Sequence, residues 1–259
     1  MTTQRKIGGL IVLAVAAVAL LSLVWTPFDP LQADVQNRLQ DTSAAHWMGT
    51  DQFGRDITSR VMDGARLTLT VAIGAVGLSA LVGVPLGIWA GMRRGASRFV
   101  MAGADLLLAF PALLLAIVFT AVFGASIWIV VLAIGIAGIP GFVRVARAGT
   151  LQVMQNDYIL AARIAKVSGP AIAWRHVLPN IWPIVLTQVS VAVALAILAE
   201  AGLSFLGLGS PAPYASWGRM LQASQPFLAT SPHLALWPGL AIAVTVLGFN
   251  LLGGTNDRR

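Results

Sequence analysis

Two acidic residues, Asp105 and Glu200, stand in otherwise uncharged stretches of this chain. A carboxylate among apolar side chains needs a protein partner or a watery cavity, so both positions are candidates for an intramembrane polar role or a translocation path. Asp105 lies near Arg98, which also allows a simple anchor at a membrane interface. For Glu200 a path or inter-subunit role stands beside a structural hydrogen bond. His46, Asp51 and Asp56 are metal-ligating types, but their spacing matches no compact ligand pattern, and a structural cap explains them better. His176 has no nucleophile or acid placed beside it by sequence. The lysines, Lys6 and Lys166, follow no phosphate-cradling glycine run, so the chain has no loop with which to hydrolyse ATP. Cysteine is absent, which excludes disulfides and thiolate metal sites. The expected catalytic and metal sets are therefore empty, and no enzyme active site emerges.

The elements that hold these residues are expected to be membrane spans. Hydrophobic residues make up 57% of the 259 and charged residues 10%, against about 25% charged in an ordinary soluble chain. A crossing needs about 20 mostly apolar residues. Ile7 to Trp25 supplies 19, with no small-residue cleavage pattern after it, and Leu67 to Met92 supplies 26. Leu106 to Val143 runs to 38, too long for one crossing, and Gly124, Ala125 and Ser126 supply a tight turn near its middle. The expected fold is an all-α membrane domain over 1–259, with six spans at about 7–25, 67–92, 105–123, 127–146, 177–205 and 234–254. Outer segments at about 26–66 and 207–233 are either ordered caps of loops and short helices or mere connections.

Direction follows from the placement of Lys and Arg beside the spans. With the N-terminus inside, the cytoplasmic segments hold Arg5, Lys6, Arg93, Arg94, Arg98, Arg144, Arg147, Arg163, Lys166, Arg175, Arg258 and Arg259, twelve of the seventeen. Arg38, Arg55, Arg60, Arg66 and Arg219 fall outside. Both termini are then cytoplasmic. The net charge of +7 is better explained by this placement than by nucleic-acid binding, which would gather the basic residues on a solvated face.

The internal segment at about 150–176 is longer than a connection requires. Asn156 to Val167 is helical in pattern, Ser168-Gly169-Pro170 breaks it, and a second short helix is expected to run to Val177 before Pro179. Its amphipathic residues either rest on lipid headgroups or form a docking knob for a soluble partner.

Several stretches carry a family likeness. Asp157-Tyr158-Ile159-Leu160-Ala161-Ala162-Arg163, followed by Arg175-His176-Val177-Leu178-Pro179-Asn180, is similar to the ATPase-coupling signature of permease subunits in ATP-binding-cassette (ABC) importers. The outer stretch with Gly49, Thr50, Asp51, Gly54, Arg55 and Asp56 resembles a second signature, and Leu203 to Gly209 with Ser216-Trp217-Gly218 a third. With Asp105 to Pro111 and Pro238 to Leu252 the resemblance covers nearly the whole chain. It points to the dipeptide, oligopeptide and nickel branch, second-permease type, and implies a type I importer permease fold in the bacterial inner membrane.

That resemblance also implies partners: a second homologous permease, two ATPase subunits or a fused ATPase that carry the ATP and Mg, an extracytoplasmic substrate-binding protein, and membrane lipid, with no nucleic acid. The coupling role falls on Asp157, Tyr158, Ala161, Ala162, Arg163, Lys166, Gly169, Arg175, His176, Leu178 and Pro179. Leu160 stands where the family usually has Glu and Lys166 where it usually has Gly, which bears on coupling strength, and only Gly254 to Arg259 follow where the family commonly has a charged tail. Peptide is the expected substrate, with nickel or another small solute as the fallback. An ATP-independent secondary transporter, with Pro85, Pro111, Pro140 and Pro238 interrupting spans, and a non-transporting membrane scaffold are the rivals.

Overall fold

The architecture turns on one helix pair. Helix α2 (Ile57–Met92) and helix α5 (Ile127–Val153) pack along their lengths through glycines. A Cβ at Gly83 would sit 2.6 Å from Phe142 Cβ, one at Gly87 2.6 Å from the Val143 carbonyl oxygen, and one at Gly91 2.6 Å from Thr150 Cβ. Position rises together on both helices, so they run parallel. Small residues that let backbones approach are how helices associate in lipid, where burial alone gives no drive.

Parallel α2 and α5 require the chain between them to return to the starting end. It does so through α3 (Arg94–Ala109) and α4 (Ala112–Phe123), which meet at a bend of 81°. The sequence pattern predicts one span over 105–123; two helices stand there because Pro111 forces Phe110 out of the helical region, to φ −93° and ψ 123°. Gly124 (φ 85°) and Ser126 then make the expected turn into α5.

The structure, a computed structural model, describes residues 3–209, 211 and 213–254. Arg258 and Arg259, counted above, lie outside the described residues. Among the described residues the regular elements are helices, with one isolated antiparallel bridge between Thr50 and Asp56. Among these residues five helices are each long and apolar enough to cross a membrane, and the bent α3–α4 pair makes a sixth crossing when counted as one.

Helix α1 (Thr3–Leu21) lies antiparallel against the last helix, α10 (His233–Gly253), with Gly8 against the backbone of Gly248. Arg5 Nε donates to the Gly254 carbonyl at 3.3 Å, so the two described ends of the chain meet at one end of the bundle. The C-terminal end of α2, the short helices α6 (Asp157–Ile164) and α7 (Gly169–Ile172), and the start of α8 (Leu178–Phe205) share that end. The opposite end holds residues 26–56 and α9 (Trp217–Ser224).

Helix α2 begins ten residues before the expected start of the second span at Leu67. Asp56 explains it, because its carboxylate accepts from Ser59 N and Ser59 Oγ, both at 2.7 Å, and so caps the orphaned amides of a helix whose first turns are charged. Arg60 and Asp63 are buried there, Arg60 donating from Nη1 to the Pro30 carbonyl at 3.0 Å, and these charges hid the element from a reading based on apolar length.

Candidate functional site

The hairpin at the basic end is built from one anchor and an open face. On α6, Ile159 is fully buried in a cluster with Val153, Ile172, Val177 and Ile181. Tyr158, Leu160 and Ile164 are 43%, 57% and 74% exposed, and Ala161 and Arg163 are exposed beside them. Asp157 at the first turn and Arg163 at the last complement the helix dipole. Tyr158 stacks loosely on His176, with ring centroids 6.1 Å apart. Gly169 opens α7, Leu178 packs on the core cluster, and Arg163 and Arg175 pair with no acidic side chain among the described residues. The fold thus joins Tyr158 to His176 and leaves both arginines reaching outward.

Helix α6 ends at Ile164 rather than Val167, in a Schellman turn: Val167 N donates to Ala162 O at 3.0 Å and Lys166 N to Arg163 O at 2.9 Å. Lys166 takes φ 58°, the left-handed conformation that costs a residue with a Cβ roughly 1–2 kcal/mol. This is the physical content of a lysine where the resemblance implies glycine. Lys166→Gly is expected to stabilise the turn by about 1 kcal/mol and to slow amide exchange in α6 roughly fivefold. Unchanged protection in that variant would show that the turn is not the weak point.

The second helix of the hairpin differs from its expected form. No break precedes Pro179; a π-helical turn, Ala173–Val177, carries α7 directly into α8, with Leu178 N donating to Ala173 O. The wider turn accommodates Pro179, which has no amide to donate and whose ring would clash in a regular ladder. The second arm of the hairpin is therefore continuous with the span that follows it: α7, the π turn and α8 make one helix of 37 residues, Gly169–Phe205.

At the opposite end, the outer residues form a knot. Asp51 accepts from Phe53 N at 2.8 Å and Arg55 N at 3.0 Å and pairs with Arg55 Nε at 2.8 Å, while Arg60 Nε lies 3.5 Å away. Asp56 holds His46 Nδ1 at 3.0 Å. Thr50 is buried, and Gly49 and Gly54 take φ 82° and 76°. A Cβ on Gly54 would collide with the Asp34 carbonyl, which fixes glycine there.

Glu200 sits below this cap and is 1% exposed. Ser204 Oγ donates to it at 2.6 Å and Thr68 Oγ1 at 3.4 Å, and the hydroxyl of Ser216, the N-cap of α9, also reaches it. One carboxyl thus joins α2, α8 and α9. Trp217 reinforces the joint by donating from Nε1 to the Val61 carbonyl at 2.9 Å, and Gly218 lies against the backbone of Ala201. Glu200→Ala orphans three hydroxyls and is expected to cost about 1–3 kcal/mol, with Glu200→Gln costing less because one acceptor oxygen survives. Thermal unfolding in detergent reads the order; equal melting temperatures for the two variants would remove the joint from the account.

Asp105 pairs with Arg144 Nη2 at 2.7 Å, across α3 and α5, and not with Arg98. The tertiary partner 39 positions away displaces the neighbour in sequence because α3 lies along α5. Sequence reasoning missed a groove of about 250 Å³ between α2, the end of α3, α4, α5 and α8, lined by Ser79, Leu108, Ile134, Gly141 and Gln188. The Gln188 amide, near the middle of α8, rests against Gly141. An amide inside an apolar run was the signal that would have found it.

Comparisons with known proteins agree with this geometry. Residues 83–255 match the family described as binding-protein-dependent transport system inner membrane component. A glutathione transport system permease protein of Pectobacterium atrosepticum is 40% identical over 248 residues, covering 95% of this chain and 82% of that protein. A dipeptide transport system permease protein of Alkalihalophilus pseudofirmus is 37% identical over 248 residues, with the same coverage of 95% and 82%. Among solved structures, an inward-facing MetNI methionine ABC transporter chain superposes with a TM-score of 0.65 at 14% identity, over 76% of this chain and 94% of that one, which shows the fold alone. The parallel glycine-packed spans, the family match and the near-full-length relatives converge: the chain belongs to the binding-protein-dependent transport system inner membrane components, the multi-pass permease subunits of ABC importers.

Proposed function

We propose that this chain is half of the pore of a peptide importer, driven by ATPase subunits that grip its basic end. The observation that carries the reading is α6, an exposed apolar face outside the spans, held by one buried isoleucine and turned tightly onto α7, which runs through the π turn into α8. A rigid lever of this kind transmits displacement, whereas a lipid-resting helix has no need of a stiff link to a span. Ala161 and Ala162 allow close approach, and Arg163 and Arg175 are free to meet acidic groups. Leu178 and Pro179 set the angle of entry into α8.

The basic end, with Arg93, Arg94, Arg98, Arg144, Arg147, Arg163, Lys166 and Arg175, then faces the cytoplasm, and the Asp51–Asp56 knot and α9 face the capture protein. The relatives named for dipeptide and glutathione transport support a short peptide as the cargo. The groove beside Gln188 is this chain's contribution to the path, because an amide within a span is most useful against a polar ligand or water. Nucleotide and Mg belong to the ATPase partners. A second permease closes the other side.

A pull-down of the tagged chain from its native membranes tests the reading. Recovery of an ATPase and a second permease is expected, with ATP hydrolysis by the reconstituted complex rising when a peptide-loaded capture protein is added. Because the chain has no cysteine, Ile164→Cys gives a single label site, which should react only with permeant reagent. Reaction with impermeant reagent in intact cells, or recovery of no ATPase, overturns it.

A further inference from the structure

At the basic end a second opening, of about 480 Å³, lies between the last two turns of α2 and the π turn that leads into α8. Its walls are apolar, with Ile88 and Trp89 facing Pro170, Trp174 and Leu178, and Arg93 stands at its rim. The volume falls within the roughly 300–1,000 Å³ of small-ligand pockets. Trp89 and Trp174 are 50% and 73% exposed, unusual for the largest apolar side chain unless the ring lies at a membrane interface, where its amphipathic character is satisfied.

Charge settles the headgroup. Arg93 makes no ion pair among the described residues, and neither do Arg94, Arg98 or Arg175 on the same end. Asp105 is already engaged by Arg144, which leaves Asp157 as the remaining acidic side chain of that end among the described residues. An apolar slot with an uncompensated guanidinium at its mouth fits a ligand that carries an acyl chain and a phosphate. We propose that this groove is a specific site for an anionic phospholipid, whose acyl chain lies between Trp89 and Trp174 and whose phosphate meets Arg93. It is separate from the coupling face of α6, and the bound lipid would brace the π turn on which that lever depends.

The test uses the full-length chain in nanodiscs of phosphatidylethanolamine with a minor share of phosphatidylglycerol, followed by gentle detergent extraction and native mass spectrometry. Phosphatidylglycerol is expected to be retained above its share of the bilayer. Arg93→Gln should lower that retention about fivefold, the effect of one basic residue near an anionic headgroup. Arg98→Gln, on the same end but outside the groove, should lower it less. Equal losses from the two variants would mean diffuse attraction to the basic end and would overturn the site. A photoactivatable phosphatidylglycerol on the unsubstituted chain guards against misfolded variants. Adducts concentrated in residues 84–93 and 169–178 support the proposal; adducts spread evenly over the lipid-facing helices, or lost when the ATPase partners are present, overturn it.

Discussion

Gly87→Leu is expected to abolish accumulation of the protein in the membrane. A Cβ at this position meets the Val143 carbonyl oxygen at 2.6 Å, Ala146 Cβ at 2.7 Å and Arg147 N at 3.0 Å, so two of the three nearest atoms belong to a helix backbone and cannot swing aside. Overpacking of a well-filled contact costs about 1–3 kcal/mol when side chains can adjust, and more when backbones must part. Here the parting is of α2 from α5, the pair on which the parallel arrangement rests, and in lipid no hydrophobic gain on rejoining offsets the lost contact. Gly87→Ala should lie between wild type and Leu. Gly77 is the internal control: it lies on the same helix, yet a Cβ there meets nothing within 4 Å, so Gly77→Ala should be neutral. Quantitative blotting of membrane fractions, with melting temperatures of what survives, reads the series. Equal tolerance at 77 and 87 would sink the packing account.

The sequence made the spans legible where composition alone decides them. Helices α1, α8 and α10 end within a few residues of their expected bounds, because uncharged length is the whole signal. It failed where a local rule competes with length. Pro111 was recognised as a possible interruption, but the 38-residue run was divided only at Gly124; the constraint that proline places on Phe110 supplies the second break. The early start of α2 was hidden because Arg60 and Asp63 read as loop residues until the fold is seen to bury them. The Gly83, Gly87, Gly91 spacing of four was present in the sequence as a packing stripe and needed only the right template.

The site was legible unevenly for the same reason. Resemblance singled out the hairpin residues, but the π turn that runs the second arm of the hairpin into α8 leaves no mark in composition, and Pro179 pointed toward a break. The sequence shows only that Asp105 lies near Arg98 at an interface; its partner, Arg144, is brought in by the packing of α3 on α5. For Glu200 the choice between path and hydrogen bond depended on what surrounds the carboxyl, and three hydroxyls from two helices and a cap surround it. Polar residues within spans are predictable as important; their partners are a property of topology.

Ile164→Asp is expected to leave the protein folded in the membrane and to strip it of its ATPase. The side chain is 74% exposed, so its replacement removes little from the fold, yet it lies on the face proposed to seat in the ATPase groove. Burying an isoleucine contributes about 1.5–3 kcal/mol, and placing a carboxylate in that pocket adds desolvation, so ATPase retention should fall by at least roughly a hundredfold. Ile159→Asp, one and a half turns earlier, is the opposite case: its side chain is fully buried beneath the same helix, so the hairpin itself should unravel and become protease-sensitive. The contrast separates the coupling reading from its rival. Were α6 merely resting on headgroups, Ile164→Asp would loosen its hold on lipid and leave ATPase recovery intact. Peptide uptake and ATPase co-purification, measured on the same membranes beside a proteolysis pattern, distinguish a lost grip from a lost fold, and a lever that has lost its grip would leave α8 unmoved however fast the partner turns over.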